Sequence, residues 1–418
     1  MNVRSLKNSL PAAPAPRAVV TGMGVISAIG QGKAAFARAL FAGETAFGVM
    51  QRPGRQRESS YLGAEIGAIE FPAGIAPQTL RAASLSAQVA LAVLDEAWTE
   101  ARLGEVDPRR IGLIVGGSNV QQRELSRTHE THRDSAAFLR PTYALSFMDS
   151  DICGFCTAHF GIRGLAYTVG GASASGQLAI VQAAQAILTG QVDVCIAVGA
   201  LMDLSHWECR GLRALGAMGS DRFADQPSLA CRPFDRDHDG FIFGESCGAV
   251  VLESQESSAR RGVTSSAGLH GWGLVMDGNR NPDPSLEGEV EAIREALCAA
   301  GWAPEQIDYV NPHGTGSIVG DETELNAIRA SGLAGAALNA TKSLIGHGLS
   351  AAGTVEVIAT LLQMEAGRLH PTRNLDHPLD GQLQWVGAEA VDHSVEHALT
   401  LSMGFGGINT ALCWQRTH

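Results

Sequence analysis

The chain has 418 residues, of which 45% are apolar, and a mean hydropathy of +0.04, so it can bury a large core. Its formal net charge of −12 gives no support to nucleic-acid binding, because nucleic-acid phosphates attract basic surfaces. Every apolar run is shorter than a membrane span, which predicts a soluble protein without membrane contacts.

Residues 1–16 hold a Pro- and Ala-rich run without a long apolar stretch. This composition predicts a flexible N-terminal lead rather than a secretory signal. The eight cysteines are scattered, and Cys153 and Cys156 form the one close pair. Their i, i+3 spacing in an apolar segment favours two buried helix residues over metal ligands or a redox pair. The cysteine pattern predicts a protein of the reducing cytoplasm, and we expect no metal site.

Predicted strands and helices alternate through the first half of the chain. Apolar runs predict strands at 17–25, 110–116, 192–199 and in the segment leading into Ser173, and helical spacing predicts helices at 33–42, 84–101 and 174–189. The strands lack polar alternation, as in a sheet that is buried on both faces. We therefore expect a mostly parallel α/β layer.

The second half repeats this layout. The pattern predicts helices at 289–300 and 349–366, strands at 307–310 and 397–402, a glycine turn at 403–407 and a closing segment at 409–414. Two pseudo-repeated halves follow, an N-terminal one at 17–255 that carries Ser173 and a C-terminal one at 256–418 that carries His313 and His347.

Ser173 lies where an apolar strand meets a long apolar helix, in the segment Thr168-Val-Gly-Gly-Ala-Ser-Ala-Ser-Gly176. A helix N-terminus lowers the pKa of a cysteine, but a dipole effect of about 1–2 kcal/mol cannot ionise a serine hydroxyl at neutral pH. Ser173 is therefore either a helix cap or a hydrogen-bonding group in a site. The segment does not match the nucleophile elbow of α/β-hydrolases, G-x-S-x-G, because residue 175 is serine instead of glycine.

Two histidines lie in glycine-framed turns far downstream. His313 belongs to Asn311-Pro-His-Gly-Thr-Gly316, and His347 ends Thr341-Lys-Ser-Leu-Ile-Gly-His347. Each turn follows a strand or precedes a helix. A lone histidine in such a turn is more often structural, and a functional role for both rings is favoured once the family resemblance given next is taken into account.

Together these motifs resemble the β-ketoacyl-acyl carrier protein synthases (ketosynthases) of the thiolase superfamily, whose elbow reads T-A-C-S/T-S. Ser173 replaces the usual cysteine. Two further segments, Cys231-Arg-Pro-Phe-Asp235 with Gly240–Glu245 and Gly404–Asn409, match other family signatures, and the resemblance spans about residues 17–415. It implies a thiolase-like, five-layered αβαβα fold with two halves and a homodimer.

The resemblance implies chemistry on a malonyl thioester. Loss of CO₂ leaves an enolate, whose oxygen two imidazole N–H groups from His313 and His347 would stabilise. This step needs no nucleophile, so it survives the loss of the cysteine. Water or one histidine would then supply the proton that completes an acetyl thioester.

Further roles follow from the same resemblance. Lys342 and Glu324 are expected to form a buried pair that orients the histidines, while Asp321 and Glu324 either support the site or cap the following helix. Thr315, Phe405 and Gly406 are expected to bind substrate, with Thr315 and Phe405 beside the phosphopantetheine arm. The backbone N–H groups of Phe405 and Ser173 would hold a thioester or carboxylate.

The Cys-to-Ser change resembles the decarboxylating ketosynthase-like proteins of polyketide β-branching cassettes, which accompany a hydroxymethylglutaryl-synthase-like enzyme. They convert malonyl- to acetyl-acyl carrier protein without a bound cofactor, since the substrate is carried on the carrier's phosphopantetheine. Two alternatives remain open. One is an acyltransferase or elongating synthase with Ser173 as nucleophile, and the other is a non-catalytic partner similar to a chain-length factor.

An acidic carrier protein needs a basic docking site on this acidic chain. Two arginine clusters are candidates, and each is either a docking patch or an ordinary solvated face. They are Arg52, Arg55 and Arg57, and Arg123, Arg127 and Arg133.

Overall fold

The computed structural model describes residues 17–57, 59–72, 75 and 77–417, so the predicted lead at 1–16 lies outside the described residues. The described strands are β1 (Ala18–Ser27), β2 (Gly30–Gln31), β3 (Phe47–Val49), β4 (Leu62–Ala64), β5 (Ile111–Gly116), β6 (Ala166–Val169), β7 (Val194–Gly199), β8 (Phe243–Gly244), β9 (Ser246–Glu253), β10 (Ala267–Met276), β11 (Tyr309–Asn311), β12 (Ala337–Leu338), β13 (Arg368–Leu369), β14 (Gln384–Trp385), β15 (Val391–Asp392), β16 (His397–Gly404) and β17 (Ile408–Arg416).

The described helices are α1 (Lys33–Ala42), α2 (Pro77–Ala82), α3 (Leu85–Glu100), α4 (Gln122–Thr131), α5 (Tyr143–Ser146), α6 (Ser150–Phe160), α7 (Ser175–Leu188), α8 (His206–Ala214), α9 (Gln255–Arg261), α10 (Leu286–Ala300), α11 (Ile318–Ala330), α12 (Lys342–Ile345) and α13 (Ala352–Ala366). Each helix and strand predicted from the sequence corresponds to one of these elements, with ends that differ by a few residues. Among the described residues, no helix is both long and apolar enough to cross a bilayer.

Eleven of the described strands form one continuous path in the order β14-β12-β11-β16-β17-β10-β1-β9-β7-β5-β6, with β2 paired to β1 beside it, while β13 and β15 form one small separate sheet and β3, β4 and β8 form another. The path folds at its middle, where β1 and β10 share a ladder of two residue pairs. Helices α7 and α13 contact strands of both arms, whereas α3 packs on β1 and β9 and α10 packs on β10 and β17. The result is the predicted five-layered αβαβα arrangement, with α7 and α13 in the central layer.

The predicted mostly parallel layer is wrong for the centre of the path. Parallel ladders join β6, β5 and β7 at one end and β16, β11, β12 and β14 at the other, but the ladders from β7 through β9, β1, β10 and β17 to β16 are antiparallel. Strands β9 and β10 were not predicted, and all of their ladders are antiparallel. Each pairs with strands distant in sequence, which no local pattern identifies.

Glycine lets the two central helices approach closely. A Cβ at Gly176 of α7 would lie 2.7 Å from the backbone nitrogen of Thr354, and one at Gly353 of α13 would lie 2.7 Å from that of Gln177. The two helix starts therefore pack against each other. Because Ser173 precedes α7 and His347 precedes α13, this contact brings both residues to one place.

Cys153 and Cys156 are buried in α6, as the sequence predicted. Burial raises the pKa of both thiols, most strongly at Cys156. Both side chains pack within the apolar layer formed by α3, α6 and the neighbouring strands. They are structural residues of the core.

Candidate active site

Ser173 occupies a tight turn that is closed by Ser175 rather than by Ser173 itself. The Ser175 Oγ accepts from the Gly171 N–H at 2.9 Å and donates to the Ala172 carbonyl at 2.7 Å. Ala172 has φ +46°, a left-handed conformation that costs a non-glycine residue on the order of 1–3 kcal/mol. The Ser173 side chain takes no part in capping, so its hydroxyl is available to the site.

His347 is anchored by the segment Phe241–Gly244. Its N–H donates to the Ile242 carbonyl at 2.8 Å, and its carbonyl accepts from the Gly244 N–H at 3.1 Å. A Cβ at Gly244 would lie 1.8 Å from the Ile345 carbonyl oxygen, so only glycine permits this approach. The Phe241 ring packs edge-on against the imidazole at 5.2 Å between centroids.

Two carboxylates of α11 hold the turn that carries His313. The Glu324 carboxylate accepts from the His313 N–H at 2.5 Å and from the Gly314 N–H at 2.8 Å. The Asp321 carboxylate accepts from the N–H groups of Gly316 and Phe234, at 3.0 and 2.6 Å. Both residues therefore support the site instead of capping α11, which was the alternative left open by the sequence.

Lys342 lies behind His313 and is buried. Its Nζ contacts the Glu356 Oε1 and the His313 carbonyl, and it lies 3.4 Å from the His313 Nδ1. The expected Lys342–Glu324 pair is wrong in its partner, because Glu356 of α13 pairs with Lys342 and Glu324 binds backbone N–H groups. Helix α13 supplies this carboxylate from the central layer, far from the turn in sequence.

The contact with Lys342 fixes the tautomer of His313. An ammonium group can only donate, so the His313 Nδ1 accepts and its Nε2 carries the hydrogen. Burial, followed by the charge of Lys342, lowers the pKa of both His313 and His347 well below the usual range. Both rings are therefore neutral at physiological pH.

The two histidine rings meet at 5.2 Å between centroids, with their planes at 85°. The Ser173 Oγ lies 2.8 Å from the His347 Nε2. In the described residues, the His347 Nδ1 has no hydrogen-bond partner. The pair thus lacks the third group that orients the base in a serine nucleophile triad, and the lowered pKa makes His347 a weak base.

A cavity of about 590 Å³ opens in front of these groups and is lined by Ser173, His313, Thr315, His347 and Phe405. Gly407 also lines it, whereas Gly406 belongs to the same turn with φ +91° and is not among the lining residues. No acceptor among the described residues takes the backbone N–H of Ser173 or Phe405. These N–H groups remain free to bind an oxygen of a ligand.

Each arginine cluster has a buried member, Arg55 in one and Arg123 in the other, and these two side chains cannot belong to a docking patch or a solvated face. Arg55 is fully buried and pairs with Glu65, Asp203 and Glu245, at 2.7, 3.0 and 2.6 Å. Arg123, from the other cluster, pairs with the same Asp203 at 2.7 Å. The two clusters therefore meet in one buried ion network, in which opposite charges satisfy the arginines.

Of the six arginines, Arg57, Arg127 and Arg133 are exposed, and Arg57 pairs with Glu130 and stacks over Trp207. The carboxylate of Glu245, the last residue of the Gly240–Glu245 motif, forms ion pairs with both Arg52 and Arg55. The motif therefore anchors the segment that holds His347. In the part of the chain that the structure describes, no group of three His, Cys, Asp or Glu residues could hold a metal ion.

Comparison with known proteins decides the family. Residues 15–258 match the β-ketoacyl synthase N-terminal domain, and residues 266–376 match the C-terminal domain of the same family. The chain belongs to the β-ketoacyl synthase family. This ketosynthase is 58% identical over 400 residues to the polyketide biosynthesis malonyl-ACP decarboxylase PksF of Bacillus subtilis (strain 168), and the match covers 96% of each chain.

Solved ketosynthases share its fold. A β-ketoacyl synthase from Burkholderia phymatum STM815 has a TM-score of 0.88 and 28% identity, over 97% of this chain and all of that one. A ketosynthase in complex with its type II polyketide synthase acyl-carrier protein, AntDE:AntF, has a TM-score of 0.84 and 25% identity, over 97% of this chain and 100% of that one. The resemblance to ketosynthases inferred from the motifs is confirmed.

Three residues of this ketosynthase site have contacts that the sequence did not predict. Ser175 closes the elbow, Phe241 packs on His347, and Glu356 pairs with Lys342. Ser175 and Phe241 lie within the quoted motifs, which mark the segments but not these contacts. Glu356 lies outside the motifs, in the apolar pattern of α13, and only the folded contact gives it a role.

Proposed function

We propose that this ketosynthase-family enzyme decarboxylates malonyl-acyl carrier protein to acetyl-acyl carrier protein in polyketide biosynthesis. The observation that carries the proposal is the convergence of two neutral imidazoles, His313 and His347, on the cavity beside a serine in place of a thiol. The named activity of the relative that is 58% identical supports it.

The mechanism follows from the protonation of the rings. As CO₂ leaves, the bonding electrons move toward the thioester oxygen, and negative charge develops there. The His313 Nε2–H is preset as a donor by Lys342, and the His347 Nε2–H becomes a second donor when substrate displaces its contact with Ser173. Donors aimed at the developing charge stabilise the transition state more than the substrate.

Ser173 is proposed to contribute shape and one hydrogen bond rather than a covalent intermediate. Its one candidate base, His347, has a pKa well below the usual range because burial and Lys342 oppose its protonation. A serine beside such a base remains a hydroxyl at neutral pH. The alternative of a Ser173 acyl enzyme, in a transferase or elongating synthase, is therefore the second candidate.

Substrate delivery is proposed to use the phosphopantetheine arm of an acyl carrier protein. Thr315 and Phe405 would flank the arm, Gly406 would shape its turn, and the free N–H groups of Ser173 and Phe405 would hold its thioester or carboxylate. The enzyme would need no bound cofactor. We further propose that the acetyl group feeds β-branching by a hydroxymethylglutaryl-synthase-like enzyme.

The test is incubation with malonyl-acyl carrier protein, followed by intact-protein mass spectrometry of both partners. We expect the carrier to lose CO₂ and the enzyme mass to stay unchanged. An ester adduct on Ser173 would support the acyltransferase alternative. An unchanged malonyl carrier, together with tight binding to an active synthase, would support the alternative of a non-catalytic partner.

A homodimer is proposed from the exposed edge of the sheet. Strand β6 ends the path and pairs on one side with β5. The segment 136–149 contacts β6 at its last residue, where the Thr168 Oγ1 donates to the Asp149 carbonyl at 2.7 Å, and the segment exposes Phe138 and Leu145. An open edge beside exposed apolar side chains favours pairing with a second copy.

Light scattering at micromolar concentration tests the homodimer. The measured mass should be twice the chain mass, and a monomer would refute the proposal.

A further inference from the structure

Glu289 is a buried carboxyl in the cavity wall that the mechanism above does not use. It lies in the first turn of α10, is 2% exposed and lines the same cavity as His313 and His347. Its Oε2 has no hydrogen-bond partner in the described part of the chain. Burying a carboxyl oxygen without a hydrogen-bond partner costs folding free energy, so this carboxyl needs an explanation.

The groups around Glu289 are acidic or neutral. Glu324 faces it from α11, and Asp277, which follows β10, accepts from the neutral Asn409 of β17 at 2.7 Å. Burial, then Glu324, then Asp277 raise the pKa of Glu289 well above its usual range. Glu289 therefore tends to keep a proton where an ordinary glutamate has lost it.

The geometry distinguishes the two coupled glutamates. Burial raises the pKa of Glu324 to about 8, but both of its oxygens accept backbone N–H groups, from His313 and Gly314, and these donors favour the carboxylate form. Glu289 has no such donors at its Oε2. When two carboxyl groups share one proton, it resides on the group whose surroundings stabilise the anion less. That group is Glu289.

The reaction needs a proton that the histidines supply poorly. Both rings are neutral and use an N–H to hold the enolate oxygen, so neither is an imidazolium acid. The other carboxylate at the histidines, Asp321, accepts backbone N–H groups of Gly316 and Phe234. Burial raises the pKa of Glu324 as well, but backbone N–H groups hold both of its oxygens, so Glu289 is the protonated group that faces the cavity with an oxygen free of such donors.

We propose that the Glu289 carboxyl is the proton source for the enolate that remains after CO₂ leaves. This inference rests on the proposed decarboxylation. The C–C bond to the carboxylate breaks, its electron pair forms the enolate, and the enolate carbon takes the Glu289 proton directly or through one water molecule. The product is the acetyl thioester, and the Glu289 carboxylate regains a proton from solvent.

The test compares the whole enzyme with Glu289→Gln, which keeps the size of the side chain but has no acidic proton. We expect acetyl formation to fall by about 100-fold, as for the loss of a general acid. The exposed neighbour Glu287→Gln is the matched control and should retain the wild-type rate. Equal rates in wild type and Glu289→Gln would overturn the proposal.

The pH profile separates proton delivery from a structural role. The wild-type rate should fall as pH rises through the raised pKa of Glu289, because the proton donor is then lost. This alkaline limb should disappear in Glu289→Gln and persist at a lower rate in Glu289→Asp, which keeps an acid. A slow Glu289→Gln enzyme with an unchanged pH profile would refute the proposal. If Glu289→Gln does not fold, a Glu289→Asp profile that lacks the limb would refute it equally.

A spectroscopic measurement keeps this proposal distinct from the proposed function. A buried protonated carboxyl gives an infrared carbonyl band at neutral pH, and we expect one that is lost in Glu289→Gln and kept in Glu287→Gln. Failure of the wild type to decarboxylate would refute the proposed function and with it proton delivery, while the band would still report the Glu289 protonation. Absence of the band would refute the proton source even in an active decarboxylase.

Discussion

The Ser173 hydroxyl lies 2.8 Å from the His347 Nε2, although 174 residues separate the two in the chain. Their meeting depends on the starts of α7 and α13, which pack through Gly176 and Gly353 in the central layer. The hydroxyl thus occupies the His347 Nε2, the second donor of the proposed mechanism, until substrate arrives. The relationship links the fold directly to the proposed chemistry.

Replacement of either histidine by alanine should strongly slow decarboxylation. Loss of one donor to a developing oxyanion costs about 100- to 1,000-fold in rate. His313→Ala and His347→Ala should therefore lose acetyl formation, measured by mass spectrometry of the carrier protein, while remaining folded. The exposed His377→Ala serves as control, and near-wild-type activity of either cavity variant would contradict the mechanism.

Ser173→Ala should change the decarboxylation rate by less than about tenfold, because one hydrogen bond contributes about 0.5–1.5 kcal/mol. The rate would be measured with malonyl-acyl carrier protein under single-turnover conditions. Abolished decarboxylation in this variant would instead indicate an acyl-enzyme route.

Ser173→Cys should place a reactive thiol at a helix N-terminus. We expect one more site of iodoacetamide alkylation than in the wild type, located by peptide mapping. Cys298 is an internal reference, because it is exposed while the other seven cysteines, all within the described residues, are buried. An unreactive new thiol would argue that the elbow is closed to reagents.

Lys342→Met should destabilise the protein by about 3–5 kcal/mol, because it leaves the buried Glu356 without its partner. Burial already raises the pKa of Glu356 to about 7, so the unpaired carboxyl will take up a proton. The native pKa then lies above the unfolded one, so the loss of stability should grow as pH rises. Urea unfolding at pH 6 and pH 8 measures this difference, and adding Glu356→Gln should reduce it.

Glu245→Gln should cost about 3–5 kcal/mol in unfolding free energy, because it removes charge that compensates the fully buried Arg55. The matched control is Glu130→Gln, which breaks the exposed pair with Arg57 and should cost less than about 1 kcal/mol. Equal costs for the two variants in urea titrations would contradict the assignment of a buried network.

Acid should weaken the fold partly through His370. Its Nδ1–H donates to the Pro371 carbonyl at 2.9 Å, its Nε2 accepts from Thr341 at 3.0 Å, and burial lowers its pKa to about 4. Because the native pKa lies below the unfolded one, the contribution is complete above about pH 6.5 and is lost as pH falls to 4. The loss is about 3 kcal/mol. In urea titrations at pH 7 and pH 4.5, His370→Gln should lose less stability than the wild type.

Much of the secondary structure could be predicted because its signals are local. Glycine punctuation and apolar spacing located α1, α3, α7, β5 and β16, and glycine-framed turns marked Ser173, His313 and His347. Strands β9 and β10 escaped prediction, and with them the antiparallel centre of the sheet. The local sequence of a buried strand does not identify the strands with which it pairs.

The sequence by itself determined the family, the elbow without a cysteine and the two histidine turns, since each is a short motif whose residue types state their chemistry. Only the tertiary structure decided the ionic partners and the protonation of the site. Glu356 reaches Lys342, Arg55 meets Asp203 and Glu245, and Glu289 comes to face the cavity only after the layers pack. Burial and the distance between charges set the pKa of each group, and both arise from contacts between residues remote in the chain.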